Sequence, residues 1–457
     1  MRAALVYPFR KAGLHSCNPP LALLYLATSL EAAGHEVAVF DRDAYASDYP
    51  GFIEKICNYE PDLVGMPIFT LTPVFKAVRE VCRDLRAKLP DAIFLAGGPS
   101  STALPEETLQ WYPEIDYVLQ GEADITLCDL VDQLGRNVAD PVVPGLSYRS
   151  NGAVHSIPRA DPPADLDALP IPDRKFVWDN FKANIYWRLD HKGPVDLIVT
   201  SRGCPFNCRF CFKTEKKFRY RSAENVMSEL EYLASIGNKN IDIEDDLFTA
   251  NKKRCLTICR MIQDAGLSLK LKARSRVDTI DEEMLHEMRN AGVHTVVYGI
   301  ESGSDRILKA MGKKTSVERN FEVVKMTKKA GLRCHCDILI GFPGENEESI
   351  RDTERFLKKA CPSTMLMSAM MPWPCTPVFD EAKSNGTLVG KWSPDTPPPY
   401  IKLPWMNDYS TLTRRSHQAT NRFYRDPRVM AGLVKNAPKN MHTFSIGLKW
   451  FRNRVGV

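Results

Sequence analysis

No stretch of this chain approaches the roughly 20 consecutive apolar residues needed to cross a bilayer, so a membrane-spanning helix is not expected. Neither sign of charge dominates: 61 Lys+Arg against 56 Asp+Glu leave a formal net charge of +5 over 457 residues. A field that weak permits an anionic partner without pointing to nucleic acid. There is no internal repeat and no low-complexity tract, which excludes solenoid and wholly disordered architectures. The N-terminus, Met1-Arg2-Ala3-Ala4-Leu5-Val6-Tyr7-Pro8, reads as a short strand rather than a charged region followed by a signal core, and a cytoplasmic protein is expected. Cysteines are not scarce, but the 13 present are odd in number and scattered except for one dense group. In a cytosolic chain that favours free thiols plus a metal site over a disulfide framework.

What is present is ordinary globular composition, 44% hydrophobic and 26% charged, over a length that suggests two or three domains. Residues 1–135 alternate buried strands (Ala3–Tyr7, Glu36–Phe40, Leu63–Met66, Ile93–Ala96, Tyr117–Gln120) with helices (Leu21–Ala33, Phe52–Tyr59, Val74–Lys88). That spacing predicts parallel βαβ units and an α/β, doubly wound, Rossmann-like domain. Ligands of such sheets sit beyond the carboxyl ends of the strands. Those ends carry Thr70, Thr72, Gly97, Gly98, Ser100 and Gly121, small residues that let a large ligand approach the backbone. Between 136 and 190 the pattern gives way to prolines around a hairpin signal at Asn151-Gly152, which reads as a linker.

From 191 to 380 the alternation resumes. Strands are expected at Leu197–Thr200, Asn240–Glu244, Lys270–Arg274, Thr295–Gly299, Arg333–Ile340 and Thr364–Met370, which suits a partial (β/α)6 barrel. Residues 381–457 form a Pro-rich and then basic segment that caps substrate or packs on the fold. Its Trp and Tyr residues, with Trp373, suggest a partly apolar pocket. The tail Phe444–Val457 would dock on a membrane or acidic partner, or pack back on its domain.

The sharpest signal is Cys204-Pro205-Phe206-Asn207-Cys208-Arg209-Phe210-Cys211, directly after an apolar strand. Three thiolates in one loop can each grip one iron of a cubic four-iron–four-sulfur (4Fe-4S) cluster, leaving the fourth iron open to a small molecule. The competing reading is a closed zinc site with a fourth ligand from Cys255, Cys334, His335 or Cys336.

The Cys-x3-Cys-x2-Cys spacing, with Phe210 and Phe212 flanking the last cysteine, resembles the radical S-adenosylmethionine (SAM) superfamily over roughly 195–380. The resemblance implies that the open iron chelates SAM and that the reduced cluster cleaves it to a 5′-deoxyadenosyl radical. It implies that Glu244, Asp245 or Asp246 receives the SAM ammonium, that Arg274 meets the methionyl carboxylate, and that Glu301, in Glu301-Ser302-Gly303, holds the ribose hydroxyls. Asp337–Glu345, with its Gly-Phe-Pro-Gly turn, would lie near the adenine. Any one segment alone reads equally well as a strand end or turn; five in order behind the triple cysteine do not.

The first domain is similar to the cobalamin-binding domain that precedes many radical SAM enzymes, through Asn18–Leu26, Met66–Thr72, Leu95–Ser100 and Gly121-Glu122-Ala123-Asp124. The Asp-x-His-x-x-Gly motif that supplies a cobalt-ligating histidine elsewhere is absent. The resemblance then implies cobalamin bound without a lower histidine ligand, with a residue near Phe69 or Thr70 facing cobalt. A degenerate domain that has lost cobalamin is the alternative.

Together these imply a cobalamin-dependent radical SAM methyltransferase acting at an unactivated carbon of a small-molecule substrate through methylcobalamin. An electron donor such as flavodoxin or ferredoxin is implied, and no nucleic acid. Rival readings are a cyclase or oxidative rearrangement without methyl transfer, and a non-catalytic cobalamin or iron–sulfur protein. Cys375, where relatives often carry Gly in a Pro-Gly-Thr turn, is a candidate hydrogen or proton donor, or a structural turn thiol. Cys255 and Cys259, four apart on a helix, read as small hydrophobes. Of Cys334 and Cys336, one is expected to face the barrel interior.

Overall fold

The computed structural model describes residues 1–9, 16–45, 48–69, 72–188, 191, 193–406 and 408–435. The chain forms two compact units, Met1–Tyr186 with Lys391–Pro398, and Trp187–Gly390 with the described part of Pro399–Val457.

In the first unit, strands β1 (Arg2–Tyr7), β2 (Glu36–Asp41), β3 (Leu63–Pro67), β4 (Ile93–Gly97) and β5 (Tyr117–Leu119) run parallel in the order 2-1-3-4-5. This is the flavodoxin-like doubly wound order, whose ligand crevice opens where the order reverses, between β1 and β3. Helices α1 (Leu21–Ala32), α2 (Tyr49–Asn58) and α3 (Thr72–Arg86) supply the first three crossovers, the short helices Pro99–Ala103 and Pro105–Trp111 the fourth, and α4 (Thr126–Gly135) follows β5. Every residue of β3 is buried, as expected of a strand covered on both faces. The segment expected as a linker adds two more strands, β6 (Leu146–Ser150) and β7 (Ala153–Ser156). They join antiparallel beyond β5 through the turn at Asn151-Gly152. Periodicity missed the strands because β6 buries only Leu146 and Ser147 and β7 buries no residue.

The second unit is a six-stranded parallel sheet in sequence order: β8 (Val195–Ile198), β9 (Asn240–Ile243), β10 (Lys270–Ser275), β11 (Val293–Glu301), β12 (Arg333–Ile340) and β13 (Thr364–Ala369). Its outer layer holds α5 (Ala223–Ser235), α6 (Lys252–Asp264), α7 (Glu282–Asn290), α8 (Val317–Lys329) and α9 (Glu347–Ala360). This is the expected partial barrel. The strict alternation of burial along β12 sends Cys334, Cys336, Ile338 and Ile340 into the helix layer. Cys334 and Cys336 therefore share one face, with their sulfurs 3.8 Å apart; the expectation that one would face the interior fails because residues two apart on a strand point the same way. Cys255 and Cys259 are buried on α6, as expected of small hydrophobes.

Helix α10 (Tyr409–Tyr424) covers the outer edge of β13. The Ser416 hydroxyl donates to Met367 O at 2.6 Å and Tyr424 Oη to Met365 O at 2.8 Å, satisfying carbonyls that an edge strand leaves open. Within the C-terminal segment, Lys391–Pro398 belongs to the first unit, where Asp395 pairs with Arg79.

Behind the start of the barrel, Arg221 pairs with Glu229, both buried, and also donates to Val199 O at 3.0 Å. Removing one partner of such a pair strands the other charge. Glu229→Ala should therefore cost about 3–5 kcal/mol, read as a lower urea midpoint; an unchanged midpoint would show that the pair does not stabilise the fold.

Candidate active site

The cysteine loop begins where β8 ends. The fully buried Asp245 carboxylate accepts from Thr200 N, Thr200 Oγ1 and Ser201 Oγ, each at 2.6 Å. Ser201-Arg202 then pairs antiparallel with Arg219-Tyr220, closing the base of the loop. Gly203 turns the chain at φ +77°, where a Cβ would come within 2.5 Å of Lys217 O, so only glycine fits. Lys213 staples the loop internally, donating to Cys204 O at 2.9 Å and to Phe206 O. Arg209 N donates to Met311 O at 2.9 Å, and Arg209 O accepts from Val378 N at 3.2 Å.

Arg276, at the end of β10, lies 3.8 Å from the centre of the Phe206 ring and donates to Cys208 Sγ at 3.5 Å. Asp278 holds its guanidinium at 2.9 and 2.7 Å. Phe210 meets Phe342 edge-on at 6.4 Å, and Phe212 stacks on Trp373 at 5.0 Å. Desolvation, then Cys208, Asp246 and Cys204, push the Cys211 thiol up to about 12. Desolvation also raises Cys204. This is a loop with more latent negative charge than it can ionise alone, and a cationic metal cluster relieves that by displacing the protons.

The inner face of the sheet is polar, where barrels ordinarily carry layers of branched apolar residues. Arg274 reaches Glu244 at 3.1 Å and lies 3.8 Å from Asp337. Arg188 contacts Asp242 at 2.9 Å and Glu244 at 3.7 Å. His191 bonds Asp242 at 2.9 Å, and Lys272 lies 3.9 Å from it. His335 joins Asp337 at 3.2 Å and Thr364 Oγ1 at 2.7 Å. Burial opposes the charge on Asp242, but Arg188, His191 and Lys272 outweigh it and hold the carboxyl below its ordinary range. Glu301 sits at a bulge with φ +64°, and its carboxylate meets the buried Lys313 at 3.0 Å. A non-glycine residue in that region is strained and recurs at functional sites. Glu345, in the turn after β12, accepts from Gly341 N at 2.6 Å, and burial pushes its carboxyl up to about 7.

In the first unit, the turns after β3 and β4 are joined. Ile68 N donates to Gly97 O at 2.8 Å and Ser100 N to Ile68 O at 3.1 Å. Gly98, at φ +91°, has no room for a Cβ, which would meet Ile68 O at 3.1 Å. The hydroxyls of Ser100 and Ser101 are buried with no hydrogen-bond partner among the described residues. Gly121, at φ +80°, donates its N–H to Thr102 Oγ1 at 3.0 Å. Glycine cradles and orphaned hydroxyls at the carboxyl ends of parallel strands mark a ligand site.

Comparison with known proteins agrees with both halves. The family model of the radical SAM superfamily matches residues 198–357, and that of the B12 binding domain matches residues 11–131. An uncharacterized methyltransferase of Pyrococcus horikoshii is 33% identical over 445 residues, covering 94% of each chain. The chain belongs to the cobalamin-dependent radical SAM family.

More distant members include the anaerobic magnesium-protoporphyrin IX monomethyl ester cyclase of Rubrivivax gelatinosus, 28% identical over 83% of this chain and 70% of that one. The cytidylyl-2-hydroxyethylphosphonate methyltransferase of Streptomyces wedmorensis is 26% identical over 75% of this chain and 73% of that one. The fold matches the radical SAM methyltransferase TsrM of Kitasatospora setae, with a TM-score of 0.79, 18% identity and coverage of 99% and 97%. It also matches the cobalamin-dependent radical enzyme OxsB, at 0.76 and 17%, over 99% of this chain and 71% of that one.

Within this cobalamin-dependent radical SAM enzyme, the structure sorts the expected site residues. Cys204, Cys208 and Cys211 lie on one tethered loop. No group of three His, Cys, Asp or Glu converges as on one metal ion among the described residues, and Cys255, Cys334 and Cys336 are buried on other elements. A cluster takes each thiolate on a different iron, and three cysteines on one loop fit that donor set. Asp245 is spent on Thr200 and Ser201 and is a framework residue. Ser302 is also framework: fully buried, it faces Thr353 Oγ1 at 3.4 Å and accepts from Ser304 N at 3.2 Å. Asp246 is exposed, and Glu244 is tied to Arg274.

Thr70 and the tail Phe444–Val457 lie outside the described residues; Thr72 opens α3, and Glu122 is half-buried after Gly121. Arg188 and His191 were missed because they precede the first barrel strand, where no periodicity exists. His335 and Asp337 were findable, since they alternate with apolar partners.

Ser100→Ala with Ser101→Ala, removing two hydroxyls that a bound cobalamin would partner at about 1 kcal/mol each, should weaken cobalamin binding about tenfold or more in an absorbance titration. Unchanged affinity would place the cofactor elsewhere.

Proposed function

We propose that this enzyme methylates an unactivated carbon of a small molecule. The observation that carries it is the pairing, in one chain, of a tethered three-thiol loop beside a polar barrel face with a glycine cradle lined by unpartnered hydroxyls. When bound, the cluster and SAM supply a 5′-deoxyadenosyl radical for hydrogen abstraction, and cobalamin supplies the methyl carrier. Cys204, Cys208 and Cys211 hold the cluster. Asp246 is the acid left for the SAM ammonium, once Asp245 is committed to the framework. Arg274, held by Glu244 and Asp337, presents a fixed positive charge toward the methionyl carboxylate. Glu301, locked by Lys313, is oriented for the ribose hydroxyls.

Gly97, Gly98, Ser100 and Gly121 line the cobalamin site, with Glu122 at its margin. Phe210 and Phe212 wall the loop and exclude water through Phe342 and Trp373. Cys375 is exposed at φ +62° in the turn that carries Trp373. As a hydrogen or proton donor, it would act from that strained position. The chain spans 94% of its Pyrococcus relative, which is named a methyltransferase. A cyclase or oxidative reaction without methyl transfer is the second reading, favoured by the relatives that are named cyclases.

The two separate by product. Anaerobically reconstituted protein given reduced cobalamin and SAM, with no substrate, should release about one equivalent of S-adenosylhomocysteine per cobalamin. Only methionine and 5′-deoxyadenosine, with no S-adenosylhomocysteine, would favour the second reading.

A further inference from the structure

The turn after β10 is fixed both at its backbone and at the tip of one side chain. Arg276 O accepts from Thr279 N at 3.2 Å, from Thr279 Oγ1 at 3.1 Å and from Ser275 Oγ at 3.1 Å. Thr249 Oγ1 meets the Ser275 and Thr279 hydroxyls at 2.7 and 2.8 Å, which knits the three together. Further along, Arg319 donates to Val277 O at 3.0 Å and to Ile280 O at 2.8 Å. The side chain that leaves this turn is correspondingly confined: Arg276 is buried, and its guanidinium lies against the Phe206 ring.

Each side of that guanidinium has a different occupant. Asp278 takes one edge, accepting from Nε at 2.9 Å and from Nη2 at 2.7 Å. Phe206, which lies between Cys204 and Cys208 in sequence, covers a face. Nη1 remains, and it donates to Cys208 Sγ at 3.5 Å. Asp278 holds the edge away from the sulfur, so the ion pair turns its positive end toward Cys208. An arginine that only packed the loop would be satisfied by Asp278 and Phe206; the third contact aims a permanent charge at a sulfur. Among the described residues, Cys208 is the one cysteine of the loop whose sulfur accepts from a charged side chain.

We propose that Arg276 is a positioning residue that acts through Cys208 to raise the reduction potential of the cluster. The inference rests on the cluster assignment above. Reduction adds one electron, and so one negative charge, to the cluster; no bond is made or broken. A charged donor held against a ligand sulfur stabilises that reduced state more than the oxidised one. Asp278 and Phe206 serve by fixing the direction of the charge, so that little reorganises when the electron arrives.

The test is a redox titration of full-length, anaerobically reconstituted protein, followed by electron paramagnetic resonance, with titanium(III) citrate supplying the electrons. Arg276→Met keeps bulk but removes donor and charge. It should lower the ratio of reduced to oxidised cluster about tenfold at a fixed potential, a midpoint about 59 mV more negative for a one-electron couple. Arg276→Lys, which keeps the charge, should recover most of that shift. Phe206→Leu, which leaves Arg276 and all three cysteines in place, should move the midpoint the same way by less. Lys329→Met, at an exposed pair with Glu282 on the outer helices, should leave it unchanged. An unchanged midpoint in Arg276→Met, or an equal fall in Arg276→Lys, would overturn the proposal. If Arg276→Met takes up no cluster, Phe206→Leu decides, and a wild-type midpoint there overturns it. Failure of both variants to load a cluster that the wild type loads would make the contact a framework one and overturn it too. A wild type that takes up no iron would remove the cluster assignment itself, and this inference with it.

Discussion

The Asp245 carboxylate, buried at the end of β9, accepts three short hydrogen bonds from Thr200 and Ser201, and the cysteine loop hangs from those two residues. Burial raises this carboxyl above its ordinary range even though every donor favours the charged form. Such a group is stable only while all its partners are in place. Ordering a long loop is opposed by roughly 1–2 kcal/mol of backbone entropy per residue. The Asp245 contacts, the Ser201–Tyr220 pairing, the Lys213 staple and the tie from Arg209 to Met311 together offset that cost.

The polar inner face of the barrel follows from the same demand for a preorganised site. Three acids, Asp242, Glu244 and Asp337, face three permanent cations, Arg188, Lys272 and Arg274, in a connected lattice. Asp242, Lys272 and Arg188 have little exposure and are tolerable as charges only when paired, and pairing here leaves each group with a fixed direction. An apolar filling would have stabilised the barrel more simply but left no place for a zwitterionic ligand. Arg276 extends this logic to Cys208, a proposed cluster ligand, since a hydrogen bond to a cysteine sulfur is one of the levers on a cluster's reduction potential.

Much of this fold was legible because its strands are short apolar runs punctuated by amphipathic helices; all six barrel strands lie where the alternation put them. The flavodoxin-like strand order was not legible, because order depends on packing between units distant in sequence. The turn of the β6–β7 hairpin was legible at Asn151-Gly152, but its joining the sheet was not, since its strands are short and mostly exposed. At the site, the three cysteines were fixed by spacing alone. The division of labour among Glu244, Asp245 and Asp246 was not, because three adjacent acids carry no local sign of which one turns inward. Only the hydroxyls of Thr200 and Ser201, more than 40 residues away, decide it. Ser101 carried no signal either: a serine after Gly-Gly-Pro reads as a turn residue until its hydroxyl is found buried and unpartnered.

The most direct test of the account is the stoichiometry of metal and cofactor after anaerobic reconstitution with iron, sulfide and hydroxocobalamin. The wild type is compared with a Cys204→Ala/Cys208→Ala/Cys211→Ala variant. The account predicts about four irons and one cobalamin per wild-type chain, with the iron lost and the cobalamin retained in the variant. Iron without cobalamin in the wild type would contradict the two-cofactor reading, as would iron retained by the variant.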